Sequence, residues 1–181
     1  PCILKDAHGG GWRDVYVCHT LDELLHHYDR CGLLTMIVQE FIVWDEFVRC
    51  ICIGREHVNP IKYDPKERKY HVGEFLEPEM KETIIKQARK LCRALGYDMN
   101  SLEFAIRDGV PYAIDFMNPA PDFDINSLGA PHFEWAVQTM ADVTIALALE
   151  ERVAPKPKAN HLFAGHERTG RTGRPSPRTI A

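Results

Sequence analysis

The sequence contains no apolar run long enough to span a membrane, and its first residues lack the pattern of a signal peptide. Its six cysteines are dispersed among apolar residues, and no two of them form a CxxC pair. Such a distribution is typical of reduced, buried thiols rather than of a disulfide framework. We therefore expect an intracellular, cytoplasmic protein without a membrane partner.

Acidic residues are scarce at the C-terminal end of the chain. Residues 151–181 hold seven of the 22 Lys and Arg residues but only two of the 26 Asp and Glu residues. The segment is rich in Pro, Gly, Arg and Thr and has no apolar periodicity, which predicts a basic, flexible tail. Because aromatic residues are not interleaved with the basic ones, a solvated tail is favoured over a nucleic-acid-binding segment.

An initial methionine is also missing, and the chain enters a strand-like segment, PCILKD, at once. We expect a piece of a longer protein whose preceding N-terminal domain is absent. The length of 181 residues suffices for one domain or for two small ones.

The apolar residues that are present predict an α+β chain with mainly antiparallel strands. Thr20 and Glu23 form a capping box before a short helix. The clearest helix covers residues 78–95 and is followed by Gly96, and a largely apolar helix is expected over about 132–150. The predicted strands before the last hairpin are Cys2–Lys5, Val15–Cys18, Leu34–Ile42, Phe47–Ile53, His57–Tyr63 and Lys69–Val72.

The segment Ser101–Pro121 predicts a β-hairpin in which two carboxylates face each other. Apolar residues alternate with polar ones on both sides of a turn at Asp108-Gly109. In this register Glu103 lies directly opposite Asp115. A three-residue loop would keep the apolar residues on one face by pairing Leu102 with Phe116, Phe104 with Ile114 and Ile106 with Tyr112.

Two facing carboxylates repel each other and favour a cation between them. Asn118 follows Asp115 closely and adds a neutral oxygen. Two carboxylates and an amide oxygen are hard ligands that suit Mg²⁺ or Mn²⁺. The alternative is a solvent-facing hairpin with two unrelated acids.

Strict alternation turns Asn118 away from Asp115, so the proposed ligand set requires an irregular strand. A β-bulge near Phe116–Met117 would bring both side chains to one side. Without a bulge, Asp122 or Asp124 would have to replace one of the ligands.

The run His8–Trp12, HGGGW, has two chemical interpretations. One is the oxyanion segment of an esterase, which needs a GxSxG nucleophile elbow; the chain has none, and Ser127 has the wrong neighbours. The other is a flexible glycine loop that closes over phosphates, with Lys5 as a point charge beside it. The plain alternative is a glycine-rich hairpin and a surface lysine.

Taken in order, these segments resemble the ATP-grasp superfamily of carboxylate–amine ligases, closest to its glutamate-ligase and glutathione-synthetase-like branch. The resemblance implies two α+β subdomains with mainly antiparallel sheets that grip ATP. Residues 1–42 would form a small lobe with the glycine-rich loop, and residues 43–150 a C-terminal lobe with the hinge and metal site. The matching segments are ILKDAHGGGW, VQEFI, VRCICIG, SLEF and IDFMNPAP.

The resemblance also implies cofactors and roles for single residues. The cofactors would be ATP and Mg²⁺ or Mn²⁺. Lys5 would contact the ATP phosphates, and the loop formed by Gly9, Gly10 and Gly11 would close over them. The adenine hinge would be formed by Glu40, Phe41 and Ile42, and the ribose would be bound by Glu46. Catalytic contact with the phosphates or the acyl substrate would come from Arg49 and Lys62, and the metal ligands would be Glu103, Asp115 and Asn118.

The implied reaction is ATP-dependent ligation through an acyl phosphate. Its partners would be a carboxylate-bearing small molecule or peptide and an amine acceptor; nucleic acid is not expected, and homo-oligomerisation is left open. Two alternatives stand beside it: a non-catalytic nucleotide-binding or interaction module that keeps the fold, and an HGGG-type esterase. Release of ADP that depends on a carboxylate and an amine distinguishes the ligase from both.

Overall fold

The computed structural model describes residues 1–153. Residues Pro1–Ile145 form one compact unit, and a second unit begins at Ala146. The predicted basic tail, apart from its first three residues, lies outside the described part. Within residues 1–153, no helix is long and apolar enough to cross a membrane. The elements are β1 Cys2–Asp6, β2 Val15–Cys18, α1 Leu21–Tyr28, β3 Met36–Glu40, β4 Glu46–Ile53, β5 His57–Asp64, β6 Lys69–His71, α2 Pro78–Leu95, β7 Met99–Arg107, β8 Val110–Asn118, α3 Ile125–Leu128 and α4 Ala130–Leu149.

The first three strands form a small antiparallel sheet in the order β2-β1-β3. One face of this sheet is closed by a cluster of Leu4, Cys18 and Cys31, against which Leu24 of α1 packs. Side chains alternate along each strand, so the opposite face carries a second set of residues. These are Ile3, Lys5, Val15, Val17, Ile37 and Gln39.

The remaining strands form a five-stranded antiparallel sheet in the order β6-β5-β4-β7-β8. Helix α2 covers one face through Ile84, Ala88 and Cys92. It begins at Pro78 and ends at Gly96, whose φ of 76° is the left-handed cap expected of glycine. The helix predicted over 78–95 and the α+β class are both confirmed.

The second face of the large sheet is covered only at its two ends. At one end Ile51 and neighbouring residues pack against Leu128 of α3 and Ala136 of α4. At the other end Phe47 packs in a cluster with Ile42, which lies just after the small sheet in the chain, and with Tyr63 and Ala105. The row between them contains Arg49, which pairs directly with Glu103 of β7. Arg49 and Glu103 therefore lie between the two clusters, beside Ile61, which pairs with Arg49 and is buried.

The hairpin of β7 and β8 has a tighter turn than predicted. Arg107 pairs with Val110, which leaves a two-residue loop at Asp108-Gly109. Both loop residues have positive φ, 51° and 72°, as a type I′ turn requires and as an Asp-Gly sequence favours. The predicted pairing near the turn was therefore wrong. Phe104 lies opposite Ala113 instead of Ile114, and Ile106 lies opposite Pro111 instead of Tyr112.

Two irregularities in β8 change this register again. Ile114 is an extra residue between the pair Phe104–Ala113 and the pair Glu103–Asp115, so the predicted opposition of the two acids is confirmed. A second extra residue lies within 116–117, because the next pair is Ser101 with Asn118. This is the β-bulge on which the ligand set depended. It makes replacement by Asp122 or Asp124 unnecessary.

The side chain of Asn100 holds the second bulge. Asn100 is completely buried. Its Nδ2 donates to the Phe116 carbonyl at 3.0 Å, and its Oδ1 accepts from the Asn118 N–H at 3.0 Å. A bulge interrupts the strand ladder, and here one amide side chain satisfies a backbone group on each side of the interruption.

We predict that Asn100→Ala lowers the free energy of unfolding by about 2–4 kcal/mol, because it leaves two buried backbone groups without partners. Urea unfolding followed by circular dichroism measures the change. Asn59→Ala is the matched control, since Asn59 is a partly buried amide with a weak 3.4 Å contact to His132. It should cost less than about 1 kcal/mol. Equal losses in the two variants would remove the special role of Asn100.

Candidate functional site

Glu103 lies at the centre of the uncovered part of the large sheet. Its side chain is 15% exposed and faces Asp115 of β8 on one side. On the other side the Arg49 Nε lies 3.5 Å from Glu103 Oε1. Arg49 Nε also donates to Ser101 Oγ at 2.8 Å. One carboxylate therefore lies between a second acid and a fixed guanidinium.

The surroundings of Glu103 disfavour its charged form. Burial raises its pKa to about 7; Arg49 and Lys5 oppose the rise, and Asp115 adds to it. The two nearby cations therefore do not compensate for the loss of water and the facing acid. A further cation between Glu103 and Asp115 would stabilise both carboxylates.

Two tyrosines support Arg49 from the strands beside it. The guanidinium carbon lies 5.1 Å from the ring centre of Tyr63 and 5.6 Å from that of Tyr70. Both distances are within the range of cation–π attraction. The two rings pack against each other at 4.9 Å. Ser101, Glu103 and the two rings together restrict the position of Arg49.

The donor set around Glu103 fits a hard divalent cation. Asn118 pairs with Ser101, which contacts Arg49, so Asn118 belongs to the same sheet face as both acids. Within residues 1–153, no group of three or more His, Cys, Asp or Glu side chains is gathered as a metal site. Two carboxylates and an amide are too few to fill the coordination sphere of a metal ion by themselves. They suit Mg²⁺, which retains several bound water molecules and also binds substrate phosphates.

Lys5 approaches this site from the small sheet. Its Nζ donates to the Ile114 carbonyl at 3.2 Å, and Gln39 Nε2 donates to the same oxygen at 3.2 Å. Ile114 is the extra residue of the first bulge, so two side chains of the small sheet bind a carbonyl at an irregular point of the large one. Lys5, Arg49, Glu103 and Asp115 are thus brought together.

The glycine loop connects β1 and β2 next to Lys5. Gly9, Gly10 and Gly11 are all exposed. Gly11 has a φ of 64°, which favours glycine, and no atom lies within 4 Å of where a side chain at Gly10 or Gly11 would begin. The loop backbone therefore has open space in front of it.

The segment predicted as a hinge follows β3, which ends at Glu40 and is shorter than the predicted strand Leu34–Ile42. Ile42 is buried with Phe47, so the chain leaves the small sheet to enter the core of the large one. The Glu40 carboxylate lies 3.6 Å from Arg107 of β7. Phe41 donates its backbone N–H to the Pro1 carbonyl.

Two predicted residues lie away from the Arg49–Glu103 face. Lys62 pairs with Val48, a residue of the cluster under α2, so its side chain belongs to the α2 face. The structure therefore does not bring Lys62 to Arg49, and we leave it out of the site. Glu46 pairs with Ile106 and also starts on the α2 face, but it is the first residue of β4, directly after the hinge segment. Its buried Oε2 has no hydrogen-bond partner within residues 1–153.

Ser127, the serine considered as an esterase nucleophile, does not have the local structure that such a residue needs. Ser127 lies in the short helix α3 and donates its hydroxyl to Asp122 at 2.6 Å. It follows a loop rather than the strand-to-helix turn of a nucleophile elbow.

Sequence reasoning missed four residues of this site. Tyr63 and Tyr70 show no local signal, because their relation to Arg49 depends on the pairing of separate strands. Ser101 shares its parity with Glu103, and that signal could have placed it on the same face. Gln39 lay within the segment assigned to the hinge and was not singled out.

Comparisons with known proteins address the fold. No protein-family model matches the chain. Human mitochondrial pyruvate carboxylase is 26% identical over 135 residues, a match that covers 64% of this chain and 12% of that protein. D-alanine–D-alanine ligase from Bacillus anthracis, solved with ATP, superimposes with a TM-score of 0.66 at 20% identity over 85% of this chain and 54% of its own. The ATP-grasp ligase PsnB, solved with a minimal precursor, Mg and ADP, gives a TM-score of 0.58 at 14% identity over 79% of this chain and 45% of its own.

These likenesses show that the chain has the ATP-grasp fold, as its motifs predicted. The chain spans about half the length of the solved structures that it resembles.

The raised pKa of Glu103 predicts a pH-dependent stability in metal-free protein. Its pKa is 4.5 in an unfolded chain and about 7 in the fold. Between these values the folded state binds more protons, so its stability is greatest at low pH and falls as the pH rises. We expect the free energy of unfolding to drop by about 2–4 kcal/mol between roughly pH 4.5 and 7.5 relative to Glu103→Gln.

Urea unfolding in the presence of a chelator at several pH values measures this difference. Asp115→Asn is the second variant, because it removes the facing charge that raises the pKa of Glu103. The fall in stability should then end at a lower pH. Parallel pH profiles for wild type and Glu103→Gln would contradict the account of this carboxylate.

Proposed function

We propose that this chain is the ATP-binding part of an ATP-dependent carboxylate–amine ligase that works through an acyl phosphate. The observation that carries the proposal is the opposition of Glu103 and Asp115, with Lys5 and Arg49 beside them, in a chain with the ATP-grasp fold. The similar structures support it, since one of those ligases was solved with ATP and another with Mg and ADP.

Glu103, Asp115 and Asn118 would hold Mg²⁺. When bound, the ion neutralises charge on the β- and γ-phosphates while the phosphoryl group moves to a substrate carboxylate. The protein's own contribution is the bulge that turns Asn118 to the side of the two acids, and the burial that makes Glu103 require a cation.

Lys5 would exchange one oxygen for another when ATP binds. In the structure Lys5 donates to the Ile114 carbonyl, which Gln39 also contacts. A phosphate oxygen would take Lys5, since a charged acceptor makes the stronger hydrogen bond. Gln39 would keep the carbonyl satisfied, so the exchange leaves no buried acceptor unpaired.

Arg49 would orient the transferring phosphoryl group or the acyl substrate. Its Nε is held by Ser101 and its plane by Tyr63 and Tyr70. A guanidinium that is restrained before substrate arrives loses little entropy on binding an oxyanion.

The adenine and ribose would lie between the small sheet and the hinge. Val17 and Ile37 belong to the sheet face that carries Lys5, and they are 43% and 42% exposed. An adenine ring would cover such apolar surface. Glu46 directly follows the hinge segment as the first residue of β4, and its unpartnered Oε2 would accept a hydrogen bond from a ribose hydroxyl once the side chain turns from the α2 face toward the hinge. The backbone of residues 41–42 would meet the adenine edge.

The glycine loop would close over the phosphates and exclude water, which would otherwise hydrolyse the acyl phosphate. An amine would then attack the acyl carbon, the bond to the phosphate oxygen would break, and inorganic phosphate would leave while the amine loses a proton to give the amide. No nucleophilic side chain is needed, because catalysis rests on positioning and electrostatics. The carboxylate and the amine would be bound in part by residues outside this chain, so the isolated chain should turn over slowly even where it binds nucleotide.

Calorimetric titration with Mg-ATP tests the site. We predict that Lys5→Ala weakens binding by about one to two decades, because it removes one charge-assisted contact with a phosphate. Lys62→Ala is the matched control: it removes the same charge from the opposite sheet face and should leave the affinity unchanged. Equal affinities for Lys5→Ala and wild type, or a loss in Lys62→Ala alone, would contradict the proposed site.

A further inference from the structure

A contact between the two sheets involves a residue that no part of the proposed mechanism uses. Arg68 lies in the turn between β5 and β6 of the large sheet. Its Nη2 donates to the carbonyl oxygen of Gly11, in the glycine loop of the small sheet, at 3.0 Å. A charged donor thus reaches across from one sheet to the glycine-rich segment of the other.

The backbone of Arg68 has a conformation that arginine does not favour. Its φ is 55°, in the left-handed region that glycine and asparagine occupy at the end of such turns. The turn itself is fixed by Asp64, whose Oδ1 accepts the backbone N–H groups of Lys66 and Glu67. Glycine would therefore adopt the backbone conformation at position 68 with less strain than arginine. The arginine side chain offers a hydrogen bond to the Gly11 carbonyl that glycine would lack.

The contact fixes one peptide plane of the loop. In a trans peptide the carbonyl and the next N–H point in opposite directions. With the Gly11 carbonyl held by Arg68, the N–H of Trp12 points away from Arg68. At its start the loop is held by the Ala7 N–H, which donates to the Thr35 carbonyl at 2.8 Å. The hydrogen bonds around the glycines, from Gly9 N to the Asp6 carbonyl and from Arg13 N to the Gly10 carbonyl, are local and long at 3.3 Å and 3.4 Å.

We propose that Arg68 is a positioning residue that holds the glycine loop near the turn between β5 and β6 before nucleotide binds. Three successive glycines lose much conformational entropy when they become ordered. An anchor on the large sheet removes part of that loss from the binding step, which preorganises the loop. The effect of Arg68 on ATP rests on the proposed function above, whereas the anchoring itself does not.

Limited proteolysis of the nucleotide-free chain tests the anchoring. Trypsin cleaves after Arg13, within the loop, and mass spectrometry follows that single cut. Arg68→Gly is the informative variant, because glycine suits the left-handed position and the fold should keep or raise its melting temperature. We expect cleavage after Arg13 to become about three- to tenfold faster, the effect of losing one solvent-exposed hydrogen bond. Lys66→Ala removes a charge from the same turn and should cleave at the wild-type rate.

Binding of Mg-ATP to the same variants completes the test. Arg68→Gly should weaken binding by a similar factor, and Lys66→Ala should not. Faster cleavage with no ATP binding in any protein, wild type included, would support the anchor and contradict the proposed function. Wild-type cleavage in Arg68→Gly would overturn the anchor whatever the affinity for ATP, and equal acceleration in Lys66→Ala would assign the effect to charge alone and overturn it as well.

Discussion

The candidate site depends on the repulsion between Glu103 and Asp115 on neighbouring strands. Like charges that face each other across a sheet are unfavourable, and burial makes the Glu103 carboxylate harder still to charge. Arg49 and Lys5, the latter supplied by the other sheet, compensate only in part. The proposed metal site follows from this pair, because a further cation would relieve the repulsion and would in turn favour phosphate oxygens.

The irregular shape of β8 is what makes this arrangement possible. One extra residue restores the opposition of the acids after a two-residue turn, and its carbonyl becomes the resting partner of Lys5. The other extra residue turns Asn118 to the same side, and the Asn100 amide bonds to backbone groups on both sides of that bulge. The bulges therefore link the stability of the hairpin to the positions of the proposed metal-binding side chains of Glu103, Asp115 and Asn118. Bulges are often found beside active sites.

Local patterns in the sequence predicted much of this, since they depend on neighbouring residues. The helix 78–95 follows from periodicity, and the facing acids were predicted from parity, although the structure reaches that pairing through an extra residue at Ile114. The bulge at 116–117 was expected only because Asn118 could not otherwise lie beside Asp115. The turn was predicted one residue too long, because apolar alternation was given more weight than the preference of Asp-Gly for a type I′ turn. The position of Lys62 on the α2 face and the Arg68–Gly11 contact could not be predicted, because both depend on which distant segments pair, and that information is not local.

The most direct test of the central claim is paramagnetic broadening of backbone amide signals by substoichiometric Mn²⁺ with a non-hydrolysable ATP analogue. Mn²⁺ prefers the same oxygen ligands as Mg²⁺ and broadens the signals of nearby nuclei. We predict that the signals of Glu103, Asp115 and Gly9–Gly11 are lost first, while those of Glu56, in the turn between β4 and β5, and of its partner Arg93 in α2 persist. Broadening that begins elsewhere, or that affects all these signals equally, would contradict a nucleotide-bound metal between the facing acids.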